Sequence, residues 1–365
     1  MGGNPATTQE APLPKRVQEL ALSGDEPPAR FIRKDYINDD GAAIVDAVSY
    51  SVPVVDLRRL SSSSSSLNDK EEEMEKLRSA LSSWGLFQVV NHGITSSFLD
   101  EIRDVTKGFF DLPMEEKQKY AREKQSSSTS SGEAYGTDDI ISEDQIINWS
   151  DRMYLLILPR DQRRLEIWPE KPHAFRETLN EYVIKTSLVA ELVLEAIANT
   201  LDLEENYFMN QLEDQTLAFA RFNYYPPCSK PNLVYGLKPH TDGSMITIVL
   251  QDREVEGLQV LKDQKWIKIP INPHALLVNL GDQMEIMSNG IFKSSMHRVM
   301  TNSEKARISI AAFYSLPFEN EVEPADALIN GSRPRLYRRV KVKDYLEIFN
   351  QRYLQGKRAI DYVEA

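Results

Sequence analysis

Between residues 216 and 320 the chain is a succession of short runs of apolar alternation. They are TLAFARFNYY, SMITIVLQD, LQVLKDQKWIKIP, ALLVNLGDQMEIMSNG, IFKSSMHRVM and ARISIAAFYSL, with Gly, Asn, Asp or Pro in the gaps. Strands at this density, punctuated in this way, argue an antiparallel β core, a sandwich or a barrel. The rest of the chain has to be arranged around that core.

Upstream the character is helical. PKRVQELALSGDEPPARFIR (14–33) reads as a short helix and an extended segment, and YSVPVVDLRRL (50–60) as a strand. The serine run 61–66 is a polar loop. In KEEEMEKLRSALSSWG (70–85), Met74, Leu77, Leu81 and Trp84 fall at helical spacing on one apolar face, and Gly85 ends the helix before the β-rich LFQVVNHG. A second helical stretch is expected over 96–124, a loop over 126–139 and a strand in NWSDRMYLLILP (148–159). A long amphipathic helix follows over 173–199, and a closing helix over about 341–357. Residues 1–14 are polar and Pro-rich and are expected to be poorly ordered. The chain thus divides into an extension with a short helix (1–49), a helix-rich region (50–205), a β core (206–320) and a C-terminal helical segment (321–365).

A net charge of −12 over 365 residues argues against nucleic acid or an anionic membrane as the main partner, since both require a basic surface. No apolar run approaches the 18 residues of a membrane span, and MGGNPATTQEAPLPKR lacks the apolar core of a signal peptide. Cys228 is the only cysteine, so no internal disulfide can form; the cytoplasm is the expected compartment, with no obligate protein partner.

His240 and Asp242, in KPHTDGS, stand two apart in a chain with five histidines. On a strand they project to one face, and His297, in SSMHRVM, lies far enough along for a neighbouring strand to bring it beside them. Alone, the pair is a weak signal and reads as a polar turn between two apolar strands. Completed, it is two imidazoles and one carboxylate on one wall, a set that holds non-haem Fe(II) with three positions open, or Zn²⁺ tetrahedrally. In RISIAAFY, Arg307, Ser309, Ala311 and Phe313 share a parity. An inward arginine on a buried strand needs an anion. Either an internal Asp or Glu supplies it, or a dicarboxylate cosubstrate does, with its 2-oxo acid end on the metal.

NYYPPC, HTD, VEGLQV, VNLGDQMEIMSNG, HRV and RISIAAF, in this order and spacing, resemble the plant 2-oxoglutarate- and Fe(II)-dependent dioxygenases. VPVVDL, WGLFQVVNHG, FFDLPMEEKQKY and YGT resemble that family's N-terminal region, and the likeness spans about 14–355. It is strongest to the senescence-related and alkaloid O-demethylase-like branch. The resemblance implies a mixed α/β (α+β) fold with a double-stranded β-helix, or jelly-roll, core flanked by helices. It implies an oxidoreductase with Fe(II), 2-oxoglutarate and O₂, supported by ascorbate, that hydroxylates, O-demethylates or desaturates a small specialised metabolite and releases succinate and CO₂. The implied ligands are His240, Asp242 and His297; the implied cosubstrate contacts are Arg307, Ser309, Tyr225 and Asn223. Substrate contacts are expected at Phe313, Arg221, Tyr154 and Arg152, the last where relatives often carry an aromatic; two arginines there suit a polar or carboxylate-bearing substrate. His92, His173, His274 and Cys228 are read as structural or solvated. Three other readings stay open: an iron oxidase that works without 2-oxoglutarate, a non-catalytic binding protein on the same scaffold, and a zinc hydrolase.

Overall fold

The computed structural model describes residues 15–33, 44–45, 50–61, 66–122, 132–138, 145–212, 216–355 and 357–365. Residues 1–14, and 126–131 and 139 of the stretch read as a loop, lie outside them. The strands in chain order are β1 (Ile44–Val45), β2 (Val54–Asp56), β3 (Leu86–Val90), β4 (Ala134–Gly136), β5 (Asp151–Leu158), β6 (Leu217–Tyr225), β7 (Leu237–His240) and β8 (Ile246–Leu250). They continue as β9 (Leu258–Lys262), β10 (Lys265–Lys268), β11 (Leu276–Leu280), β12 (His297–Val299), β13 (Arg307–Ser315), β14 (Glu321–Val322) and β15 (Val340–Lys341). The helices are α1 (Val17–Ser23), α2 (Leu57–Leu60), α3 (Leu67–Ser83), α4 (Ser96–Phe110), α5 (Met114–Lys117), α6 (Phe175–Thr200), α7 (Tyr207–Leu212), α8 (Asp282–Met287) and α9 (Val342–Leu354).

Two sheets make the jelly roll. The larger runs β2-β3-β11-β8-β13-β6-β5-β4 and the smaller β1-β10-β9-β12-β7. Pairing is antiparallel except at β2–β3 and β1–β10. Period-2 alternation gives the larger sheet two different faces. Ala218, Ala220 and Phe222 of β6, Ile310 and Ala312 of β13, and Ile248 and Val278 point outward into one apolar core with α3, α4 and α6. Phe222 packs on Phe175 of α6 with ring centroids 5.4 Å apart. The inner face meets the smaller sheet. Leu86, Tyr225 and Leu277 pack there on Leu237, Leu258, Val260, Ile267 and Val299. This apolar plug fills one end of the sandwich and leaves the other end open.

The amphipathic pattern of 173–199 becomes α6, and the closing pattern becomes α9. Three readings need correction. The helix expected over 96–124 stops at Phe110, because Pro113 cannot continue it and the helix restarts as α5. DQMEIM, read as strand, is helix α8: β11 ends at Leu280 and Gly281 passes so close to Ser244 that a Cβ there would sit 2.0 Å from its carbonyl oxygen. The stretch read as loop contains the short strand β4, paired with β5. No helix among the described residues is long and apolar enough to cross a membrane.

If the outer face of β6 is as tightly packed as these contacts indicate, Phe222→Ala should lower stability by about 3–5 kcal/mol. Urea denaturation checks this; a midpoint equivalent to a loss below about 1 kcal/mol would contradict the packing.

Candidate active site

β7 and β12 lie side by side with His240 opposite His297, and the register shift between His297 and Val299 is a bulge of the kind that re-aims a side chain. The two imidazole centroids are 4.2 Å apart. His240 ends β7, and Asp242 sits in the turn beyond it. The shared strand face expected for the pair is therefore not how they meet. The turn carries Asp242 Oδ1 to 3.8 Å from His240 Nε2 and 3.7 Å from His297 Nε2.

Nδ1 of His240 donates to the Lys238 carbonyl (2.8 Å) and Nδ1 of His297 to the Ser295 carbonyl (3.0 Å). A carbonyl only accepts, so each Nδ1 carries a proton and each Nε2 is turned toward Asp242. Burial first, and His297 second, lower the proton affinity of His240 and keep it neutral. Asn279 Nδ2 donates to Asp242 Oδ2 (3.1 Å), which leaves Oδ1 for the shared centre. Outer partners of this kind orient metal ligands. Two imidazole nitrogens and a carboxylate oxygen thus converge within 4.8 Å of one another at the wall of a cavity, a donor set that fits Fe(II).

The cavity, about 1300 Å³, is lined by alternate residues of the larger sheet. On β13 these are Arg307, Ser309, Ala311 and Phe313; opposite them in register on β6 are Tyr225, Asn223, Arg221 and Phe219. Arg307 is 3% exposed, and its Nε and Nη1 have no hydrogen-bond partner. No carboxylate among the described residues lies within ion-pair distance of it. Asp252, the nearby acid, accepts instead from the backbone N–H of Glu254, Val255 and Ile308. Among the described residues no acid pairs with Arg307, and its buried guanidinium faces a cavity that also holds the His-Asp-His cluster. The Tyr225 ring centroid lies 5.3 Å from Arg307 Cζ. Asn223 bridges its wall: Oδ1 accepts from Arg221 Nε (2.7 Å) and Nδ2 donates to Ser309 Oγ (3.3 Å).

Farther out, Tyr154 stacks on Phe219 at 5.0 Å, and Phe313 meets Tyr154 edge-on at 6.4 Å. Phe219 was legible by parity, two residues before Arg221, but was not singled out. Arg152 and Arg221 line the cavity as expected, yet both bind one carboxylate that sequence reasoning missed: Nε of Arg152 and Nη2 of Arg221 are each 3.2 Å from Asp138 Oδ1. Burial alone would raise the Asp138 pKa; Arg221 and Arg152 outweigh it and hold the carboxyl well below the usual range. Helix α9 also went unassigned. Its Phe349 and Tyr353 stack at 6.3 Å and line the cavity, and Tyr353 stands edge-on to His240 at 5.6 Å. The remaining histidines stay outside: His92 accepts from Ile94 N at Nδ1 and donates through Nε2 to the His274 carbonyl, while His173 and His274 are exposed. Cys228 is buried in a small apolar cluster.

Residues 217–316 match the model of the 2OG-Fe(II) oxygenase superfamily, and residues 52–171 that of the non-haem dioxygenase in morphine synthesis N-terminal region. Codeine O-demethylase of Papaver somniferum is 41% identical over 350 residues, 95% of each chain. Protein SRG1 of Arabidopsis thaliana is 36% identical over 335 residues, 92% of this chain and 91% of that one. The crystal structure of JOX2 in complex with 2OG, Fe and JA has a TM-score of 0.86 at 32% identity, covering 97% of this chain and 98% of that one. By sequence and by fold alike, this chain belongs to the plant 2-oxoglutarate- and Fe(II)-dependent dioxygenases, an oxidoreductase of the branch that contains SRG1 and codeine O-demethylase.

Proposed function

We propose that His240, Asp242 and His297 hold Fe(II), that Arg307 and Ser309 hold the distal carboxylate of 2-oxoglutarate, and that the chain oxidises a C–H bond of a bulky, ring-containing specialised metabolite. The observation that carries this is Arg307. A buried guanidinium with two unpartnered nitrogens costs several kcal/mol unless an anion completes it, and the cavity is where one can arrive. Ser309 adds a hydroxyl on the same strand face and Tyr225 an aromatic wall, so a planar carboxylate is held by its fork and its sides. When bound, the iron supplies activation of O₂ coupled to decarboxylation of 2-oxoglutarate to succinate and CO₂.

What the chain's own residues contribute is position and dryness. The Nδ1–carbonyl bonds and Asn279 aim three ligand atoms at one point. Tyr154, Phe219 and Phe313 on one side, and Phe349 and Tyr353 on the other, form a cavity large enough for a fused-ring molecule of the kind on which codeine O-demethylase acts. Zinc hydrolysis gives Arg307 no work, which weighs against that alternative.

The direct test is succinate release from 2-oxoglutarate, with Fe(II) and ascorbate in air, against alkaloids, flavonoids, terpenoids and hormone precursors. Succinate formed in step with an oxidised product supports the proposal; product without succinate identifies an oxidase that bypasses the cosubstrate. His240→Ala and Asp242→Ala should each abolish turnover and tight Fe(II) binding while leaving far-UV circular dichroism unchanged. Full activity in either would remove the ligand assignment. Arg307→Lys loses the two-pronged bond and should raise the KM for 2-oxoglutarate about 10–100-fold, with a far smaller change for the main substrate; equal changes in both would place Arg307 outside the cosubstrate pocket.

A further inference from the structure

Two arginines facing a ligand cavity invite an acidic ligand. Here the place of that acid is already taken. Asp138 Oδ1 accepts from Nε of Arg152 and Nη2 of Arg221, and its Oδ2 accepts from Asn148 Nδ2 and from the Tyr353 hydroxyl (3.4 Å). The acceptor positions of the carboxylate are filled. Nε of each guanidinium is thus occupied, that of Arg221 by Asn223 and that of Arg152 by Asp138, and Arg152 Nη1 donates to the Gly132 carbonyl. These groups come from the segment after β4, from β5, from β6 and from α9, and Asp138, Arg152, Arg221 and Tyr353 all line the cavity.

We infer that Asp138 is a specificity-determining residue that stands in for a ligand carboxylate, so that the cavity takes neutral molecules and rejects anionic ones. The inference rests on the reading of this cavity as the substrate site. A ligand acid would have to displace an anion tethered in the same chain, at high effective concentration, or sit beside it and suffer like-charge repulsion with little water to screen it. Around this cluster a neutral ring system meets the aromatic walls of Tyr154, Phe219, Phe313, Phe349 and Tyr353.

A matched dye pair tests this without turnover. N-phenyl-1-naphthylamine is neutral, and 8-anilinonaphthalene-1-sulfonate is the same skeleton with one negative charge. Each is titrated by fluorescence into protein carrying Fe(II) and 2-oxoglutarate under nitrogen; the cavity signal is the part that Ala311→Phe, on the wall between Arg221 and Val249, removes. The wild type should bind the neutral dye at least tenfold more tightly. Asp138→Asn, which keeps shape and removes charge, should shift that ratio at least tenfold toward the sulfonate, while the charge-retaining Asp138→Glu keeps the wild-type order. A wild type that takes neither dye in the cavity, or takes both equally, overturns the inference, as does an equal shift in the Asn and Glu variants. Because no catalysis is read, failure of the oxygenase assignment would leave this result standing; rapid succinate-coupled oxidation of an acidic substrate would refute the inference and leave the oxygenase intact.

Discussion

The contact on which the rest of the site depends is the antiparallel pairing of β12 with β7, a three-residue strand against a four-residue one. It sets His297 opposite His240, 57 positions away in the sequence, and β9 on the other flank of β12 holds the strand in register. So short a pairing is worth little alone. It is stable because Val299 and Val260 lie in the apolar plug between the sheets, so the ladder cannot slip by one residue without turning those valines to the outer face of the smaller sheet. Hydrophobic burial at one end of the sandwich is thus converted into placement of two imidazoles at the other.

The same division explains how the fold tolerates so many polar groups inside. Arg307 Nε and Nη1 and Asn279 Oδ1 are buried without partners, each on the cavity face of the larger sheet. The outward face of the same strands carries Phe222, Ile248, Val278 and Ile310, none of them exposed, against the helices. One side of each strand supplies cohesion and the other is left unsatisfied. Local disagreement with the rules of burial is what a binding site looks like when its ligand is part of the satisfaction.

What was legible in the sequence was what period-2 alternation and local spacing control. Arg307, Ser309, Ala311 and Phe313 share a face because nine consecutive residues of β13 pair in unbroken register with β6, and the same parity reaches Arg221, Asn223 and Tyr225. Asp242 was found for an incomplete reason: it acts from a turn, where strand parity has no meaning. DQMEIM was misread because six residues are too few for a 3.6-residue period to separate from alternation, and all six are buried. Asp138 left no local signal. Its meaning lies in contacts with residues 14, 83 and 215 positions away, and nothing in the neighbouring sequence marks it.

Helix α9 shapes the cavity from outside the β core. The motifs that carry the family resemblance end at Phe313, before this helix begins at Val342. α9 nevertheless supplies the Tyr353 ring beside His240 and the Phe349 face of the cavity. It is fastened to the core by Tyr345, whose hydroxyl donates to Asp282 Oδ2 at 2.6 Å, and Asp282 also accepts from Thr241, between His240 and Asp242. The fastening is therefore to the HTD turn itself, and Leu346, Phe349, Asn350 and Tyr353 form an adjoining stripe that faces the cavity. Leu346 and Phe349 pack against Gly243 in that turn and Tyr353 against His240, so this helix shapes the roof of the cavity directly above the cluster. A common oxidising centre can in this way serve ring systems of different outline, with the choice made by a segment that the shared motifs leave open.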